Sequence, residues 1–320
     1  MTLELGGKSP CIINNDVTDI DLAVKRISWG KFANAGQTCI APDYVLCHED
    51  KYDEFVAAFL KRIEISFGND PSLSTSYCRM VTEMHCDRVA NLIKQAVSKG
   101  GVATSDVETV DTKARFIPPT LLLDILPDNW NQFDIMNEEI FGPALPIIKV
   151  PRESFTSNKI SAMVKNIHAK PLALYIFAKD RTFIDNVLTK TPSGGVCVNE
   201  VVFHYGNCNL PFGGIGSSGL GAGHGIHGFK AFSHHKAILR KDDHMMLDIP
   251  QRYPPYDGFK LMVFRINAVL PSVPYISKTS GRLFAFAVVG LMVTKMGQMC
   301  GVVSPTLIST LISDLKSYFF

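Results

Sequence analysis

The sequence predicts an α/β fold, a mostly parallel sheet with helices on its faces. Three observations carry this prediction. Short apolar runs alternate along the chain with segments whose apolar residues recur at helical spacing. The runs at 9–14 and 172–178 read as buried strands, as expected where a parallel sheet is covered on both sides. At 320 residues, 46% hydrophobic and 19% charged, the chain has the composition of a globular protein able to bury a sizeable core.

Taken in order, residues 9–14 form the first strand. Residues 19–32 place apolar side chains at helical spacing behind an aspartate cap at Asp19 or Asp21. The turn Ala35-Gly36-Gln37-Thr38 leads into Cys39. Residues 44–47 read as a strand and 51–65 as an amphipathic helix. Residues 83–98 read as a second amphipathic helix, stopped by Gly100-Gly101. A strand containing two prolines is expected over 115–123, and another over 144–150 after Gly142-Pro143. A helix is expected over 181–189. A strand over 195–203 then gives way to a glycine-dense loop that runs to Gly228. Residues 242–255 are polar and proline-containing and read as a linker, after which the composition turns apolar. There is no evident internal repeat.

Composition narrows the function classes. A net charge of +2 and a pI near 8.1 give no electrostatic mandate for nucleic acid, and no zinc-finger spacing is present. None of the 8 cysteines forms a C-x-x-C pair, which fits reduced intracellular thiols better than a disulfide framework. No metal site is expected. Residues 1–10 lack the apolar core of a signal peptide.

Two residues stand out for chemistry. Cys39 follows a glycine-containing turn, where a thiol can be both structured and exposed. Glu4, in Leu3-Glu4-Leu5-Gly6-Gly7-Lys8, is a candidate general base beside a Gly-Gly step that lets backbone approach a ligand. Taken alone, a cysteine is most often a small buried hydrophobe and a glutamate a solvated surface charge. Gly214-Ile215-Gly216-Ser217-Ser218-Gly219 and Gly223-His224-Gly225-Ile226-His227-Gly228 both fit G-x-G-x-x-G. Residues 205–211 separate them from the preceding strand, so they are poor dinucleotide fingerprints.

Context changes the weight given to Glu4 and Cys39. Leu3-Glu4-Leu5-Gly6-Gly7-Lys8-Ser9-Pro10, Gly36-Gln37-Thr38-Cys39, Glu138-Glu139-Ile140-Phe141-Gly142-Pro143 and Pro211-Phe212-Gly213-Gly214 with Gly216, Ser218 and Gly219 occur in this order. Through these motifs the sequence resembles the aldehyde dehydrogenase superfamily. Lys170-Pro171-Leu172-Ala173-Leu174-Tyr175, Phe232-Ser233-His234 and the apolar C-terminal extension narrow the resemblance to the class 3 branch and its membrane-anchored fatty aldehyde dehydrogenases.

The resemblance implies a catalytic domain of the aldehyde dehydrogenase fold over residues 1–203. It implies an active-site loop and C-terminal oligomerisation segment over 204–241, a linker and juxtamembrane segment over 242–282, and a hydrophobic membrane tail over 283–313. Cys39 would be the nucleophile, with its own backbone N–H helping to hold the oxyanion, and Glu4 the base that activates water. Glu139 would hold the nicotinamide ribose, with Phe141 packed beside it and Leu5 and Gly6 lining the nicotinamide end. Phe212 would flank the substrate channel. His224 would stand near the substrate entrance, although the tyrosine that precedes this histidine in the family is Gly223 here.

The implied cofactor is NAD, with NADP as the alternative. The implied substrates are medium- or long-chain aldehydes, and the implied assembly is a homodimer. Family members carry a cofactor domain upstream of the Glu4 motif, so the sequence as it stands also admits a dehydrogenase-inactive isoform, an interaction subunit or residual esterase. Residues 283–313 carry Lys295 as their one charge and span about 46 Å if helical. Arg265, Lys278 and Arg282 precede them, which predicts a catalytic domain on the cytosolic side, and the resemblance to the membrane-anchored members implies an intracellular membrane, the endoplasmic reticulum.

Overall fold

The computed structural model describes residues 1–240 and 253–269 and divides the chain into two compact units, Met1–Lys236 and Ala237–Phe320. In the first unit the strands are β1 (Leu3–Glu4), β2 (Pro10–Ile13), β3 (Tyr44–His48), β4 (Val102–Ala103), β5 (Thr120–Ile125), β6 (Ala144–Val150), β7 (Ala173–Phe177), β8 (Gly195–Val198) and β9 (Gly219–Leu220). The helices are α1 (Ile20–Phe32), α2 (Glu49–Phe67), α3 (Glu83–Ser98), α4 (Asp134–Asn137), α5 (Ser157–Ile167), α6 (Arg181–Lys190) and α7 (Gly225–Ala231). In the second unit the described helix is α8 (Gly258–Val269), where the Asp257 carboxylate accepts the Lys260 amide at 2.8 Å. The membrane tail expected over 283–313 lies outside the described residues. Among the described residues no helix is long and apolar enough to cross a membrane.

The first unit is built on a seven-stranded sheet in the order β4-β5-β6-β3-β2-β7-β8. All neighbours pair in parallel except β4, which runs antiparallel to β5. The central strands are buried on both faces. On β2, Ile12 joins the core shared with α3, α5 and α6, while Cys11 and Ile13 join the opposite core with α1 and α2. Unbroken apolar runs are what such a position demands. The helices start where side chains cap them. Asp19 accepts the Leu22 amide at 2.8 Å, Thr82 the His85 amide at 3.2 Å, and Asp180 the Thr182 amide at 2.8 Å.

Two strand boundaries and one helix differ from the sequence reading. The strand expected over 115–123 begins at Thr120. Arg115 has φ 55, and Pro118 and Pro119 have no N–H to give a ladder. The strand expected over 195–203 stops at Val198, because Asn199 and Val202 take φ 57 and 65, which no regular strand accepts. Helix α5, amphipathic and capped by Thr156, was not foreseen.

The topology collects the chemistry on one edge of the sheet. Glu4 and Gly6 lie just before β2, Cys39 before β3, and Glu139 and Phe141 before β6. These three strands are parallel, so their incoming loops meet at the amino edge, opposite the edge where open α/β sheets generally bind ligands.

Candidate active site

The turn before Cys39 is held in an uncommon conformation. Asn34, Ala35 and Gly36 have φ 52, 53 and 73, three successive left-handed residues. Local hydrogen bonds sustain it. The Asn34 side-chain amide donates to the Gln37 carbonyl at 3.0 Å, and Gln37 Nε2 donates to the carbonyls of Asn34 and Arg79 at 2.9 and 3.1 Å. Gln37 Oε1 accepts the Val81 amide at 2.8 Å. Beyond the turn, the Tyr175 hydroxyl donates to the Ile40 carbonyl at 2.5 Å. Cys39 is half-buried. Burial raises its thiol above the ordinary range, the charges of Glu139 and Glu4 raise it further, and the backbone amides of Cys39 and Ile40 pull the other way.

Glu4 is held by a clasp. Strand β1 pairs antiparallel with β9, Glu4 opposite Gly219, and the Leu5 amide donates to the Ser218 carbonyl at 3.1 Å. The first G-x-G-x-x-G run is this clasp. It folds back on itself through Ser218 N to Ile215 O and Gly219 N to Gly216 O, each 3.3 Å, and opens no helix. The second run enters the seven-residue α7 from a loop, not from a strand.

The two chemical groups share one cleft of about 490 Å³, lined by Glu4, Gln37, Thr38, Cys39, Ile40, Phe141, Val202, Tyr205 and Phe212. The structure therefore brings Glu4, Cys39, Phe141 and Phe212 together. His224 stands behind the wall, stacked on Phe212 with ring centroids 5.5 Å apart at 20°. Tyr205 meets both rings edge-on, at 5.1 Å from Phe212 and 5.3 Å from His224. Leu5 is 47% exposed and does not line the cleft. A larger cleft of about 620 Å³, beside the end of α2 and the 104–109 loop, contains neither Glu4 nor Cys39.

Glu139 and Gly6 lie against each other beside the cleft. A Cβ on Gly6 would stand 2.0 Å from the Glu139 carboxylate, so only glycine leaves room for that side chain. Burial pushes the Glu139 carboxyl up to about 7, and Asp43 adds to this, against a hydrogen bond from the Gly7 amide and the charges of Lys8 and Lys31. The loop carrying Glu139 is anchored from below. Lys8, itself buried, donates to Asp43 at 2.5 Å and to the carbonyls of Ile135 and Glu138 at 2.8 and 2.9 Å. The other Asp43 oxygen accepts the Ile140 amide at 3.1 Å.

Sequence reasoning missed Tyr205 and Val202, which line the cleft. They fell in or next to a segment read as strand.

A parallel α/β sheet with a thiol and a carboxylate facing one cleft from its incoming loops defines a family. The aldehyde dehydrogenase family model matches residues 1–238, and the chain belongs to the aldehyde dehydrogenase family. Within that family it is similar to its family 3 members. It is 41% identical over 261 residues to the dimeric NADP-preferring aldehyde dehydrogenase of Rattus norvegicus, covering 80% of this chain and 53% of that protein. It is 42% identical over 262 residues to aldehyde dehydrogenase family 3 member A2 of Rattus norvegicus, covering 82% of this chain and 51% of that protein. Among solved structures, Staphylococcus aureus AldH in a substrate-bound state matches with a TM-score of 0.68 and 36% identity, over 83% of this chain and 54% of that one. The chain spans about half the length of the curated relatives it matches.

Proposed function

We propose that the chain carries the nucleophile and base for oxidation of an aldehyde to a carboxylic acid, with Cys39 as the nucleophile and Glu4 as the base. The observation that supports this reading is that both line the same cleft. The Cys39 thiolate adds to the aldehyde carbon and gives a thiohemiacetal, whose oxyanion the Cys39 backbone N–H stabilises. Loss of hydride from that carbon leaves a thioester on Cys39. Glu4 takes a proton from water as the water attacks the thioester carbon. The acid leaves and the Cys39 thiolate is regenerated. NAD(P)+, when bound, accepts the hydride.

The residues present fit a nicotinamide ribose. Gly6 supplies a surface without a Cβ, Glu139 a carboxylate suited to accept ribose hydroxyls, and exposed Phe141 and Leu5 an apolar flank. The dimeric NADP-preferring relative supports NAD or NADP as cofactor and a homodimer as the assembly. Ile40, Phe141, Val202, Tyr205 and Phe212 give the cleft an apolar lining, which favours medium- or long-chain aldehydes. An apolar tail over 283–313 would bring such substrates to the site at a membrane surface.

Cofactor-independent ester hydrolysis is the second reading, since it needs only the thiol and base found together in the cleft. Substitution separates the two roles. Cys39→Ala abolishes both aldehyde oxidation and hydrolysis of an activated aryl ester. Glu4→Gln keeps the acylation burst but slows turnover. A Cys39→Ala chain with unchanged hydrolysis overturns the assignment.

A further inference from the structure

Cys197, on β8, and His204 form a buried pair that the proposed reaction does not use. The Cys197 sulfur and His204 Nδ1 are 3.1 Å apart. His204 Nε2 is buried without a hydrogen-bond partner, so among the described residues this is the polar contact that orients the ring. Burial raises the Cys197 thiol and lowers the His204 imidazole, so in neutral solution the two share a hydrogen bond and not an ion pair. The ring is closely fitted. A Cβ on Gly195 would stand 2.7 Å from His204 Cδ2. The rings of Tyr175 and Phe212 flank it, each with its centroid 6.1 Å away. Tyr175 holds the Ile40 carbonyl next to Cys39, and Phe212 is a wall of the cleft.

Between Cys197 and His204 the chain makes a strained turn. Asn199 and Val202 have φ 57 and 65, and a β-branched residue keeps such a conformation only when its surroundings impose it. The near end of the turn is fixed. The Asn199 side chain accepts the Ala178 amide at 3.0 Å and donates to the Ala178 carbonyl at 2.9 Å, and Arg26 pairs with Glu200 at 3.1 Å. At the far end, the contact with Cys197 returns the chain to β8. Val202 and Tyr205, just before and just after His204, line the cleft. Tyr205 is 52% exposed and has room to swing outward.

We propose that the Cys197–His204 hydrogen bond is the latch of this turn: it holds Val202 and Tyr205 against the cleft and so sets the size of molecule that reaches Cys39. Neither Cys197 nor His204 lines the cleft, so both are positioning residues.

For aldehydes, this selection by size rests on the reaction proposed above. For access to Cys39 it does not, and the test uses neither aldehyde nor dinucleotide. The full chain is alkylated at neutral pH with iodoacetamide and, separately, with its bulky pyrenyl analogue. Mass spectrometry of the cysteine peptides gives each rate at Cys39, normalised to that at exposed Cys78. Cys197→Ala is expected to raise the ratio of bulky to small reagent at Cys39 by about fivefold, the worth of one hydrogen bond. Cys197→Ser, whose hydroxyl can still donate to Nδ1, returns the ratio toward the wild type. His204→Phe keeps a ring without Nδ1, behaves as Cys197→Ala and decides the question if the alanine variant does not fold. Buried Cys11, Cys47 and Cys86 stay unmodified throughout, which separates a moved wall from a loosened fold. A ratio that is unchanged or lower in the variants overturns the proposal. So does a rise matched by labelling of the buried cysteines. A shifted ratio in a chain that oxidises no aldehyde would count against the proposed reaction while supporting the latch.

Discussion

A Cβ on Gly36 would stand 2.3 Å from the carbonyl oxygen of Gly142. The turn that presents Cys39 and the loop that presents Glu139 and Phe141 therefore meet backbone to backbone, with no space for a methyl group. Gly36 also has φ 73, a conformation that L side chains rarely adopt. Gly36→Ala is expected to cost about 2 kcal/mol or more, from strain and from the forced separation of the two segments. Urea denaturation checks the stability, and a wild-type midpoint would show that the contact yields easily.

Lys8 and Asp43 form a buried pair beneath the same loop. Lys8→Met strands the Asp43 carboxylate and leaves the Ile135 and Glu138 carbonyls without a donor. A loss of about 3–5 kcal/mol is expected. Adding Asp43→Leu removes the stranded charge and should recover part of the loss. A double-mutant cycle by chemical denaturation reads both effects, and strict additivity of the two losses would refute the coupling.

The Glu139 carboxyl titrates at about 7 in the folded chain, against an ordinary value of 4.5. Below the ordinary value it is neutral in both folded and unfolded states. As pH rises through about 7, the folded state acquires a buried anion that the unfolded chain holds in water, and this group's contribution to stability is lost. Glu139→Gln should therefore match the wild type in mild acid and exceed it at about pH 8. Thermal melts at both pH values test the sign. A variant that is less stable at the higher pH would mean that Glu139 is held by more favourable contacts than burial allows.

Phe212 links the cleft wall to Tyr205 and His224 through ring contacts. Phe212→Ala removes one wall of the cleft and the stacking support for His224. On the proposed reaction, KM is expected to rise by about tenfold for long aldehydes, the worth of one modest apolar contact, and by much less for short ones, with kcat less affected. A uniform fall in kcat across chain lengths would place Phe212 in the chemistry instead of the passage.

Much of this architecture was legible in the sequence because local signals and tertiary demands agreed. The strand at 9–14 is apolar because β2 is covered on both faces, and Asp19 marks the start of α1 because its side chain caps it. The glycine-glutamine turn pointed to Cys39, whereas the Gly6-Gly7 step, read as letting backbone approach a ligand, has the Glu139 side chain packed against Gly6. What stayed hidden depends on long-range geometry. Val202 takes a positive φ that nothing in its β-branched side chain announces. Tyr205 reaches the cleft because the chain turns there, and the exposure of Leu5 follows from a pairing with a segment near the far end of the unit. The surroundings of Glu139 cannot be read from periodicity, since they follow from the packing of its loop against Gly6 and Gly7.

The clasp between β1 and β9 has a consequence for the order of assembly. Glu4 is translated before any strand of the seven-stranded sheet, yet the partner strand that holds it, Gly219–Leu220, emerges only after that whole sheet has been made. The segment carrying Cys39 can settle on β3 while synthesis continues, but Glu4 cannot be fixed in the same cleft until the Gly219–Leu220 strand has left the ribosome. On the proposed reaction, a nascent chain would carry the Cys39 thiol before the carboxylate that activates water for it is fixed in place.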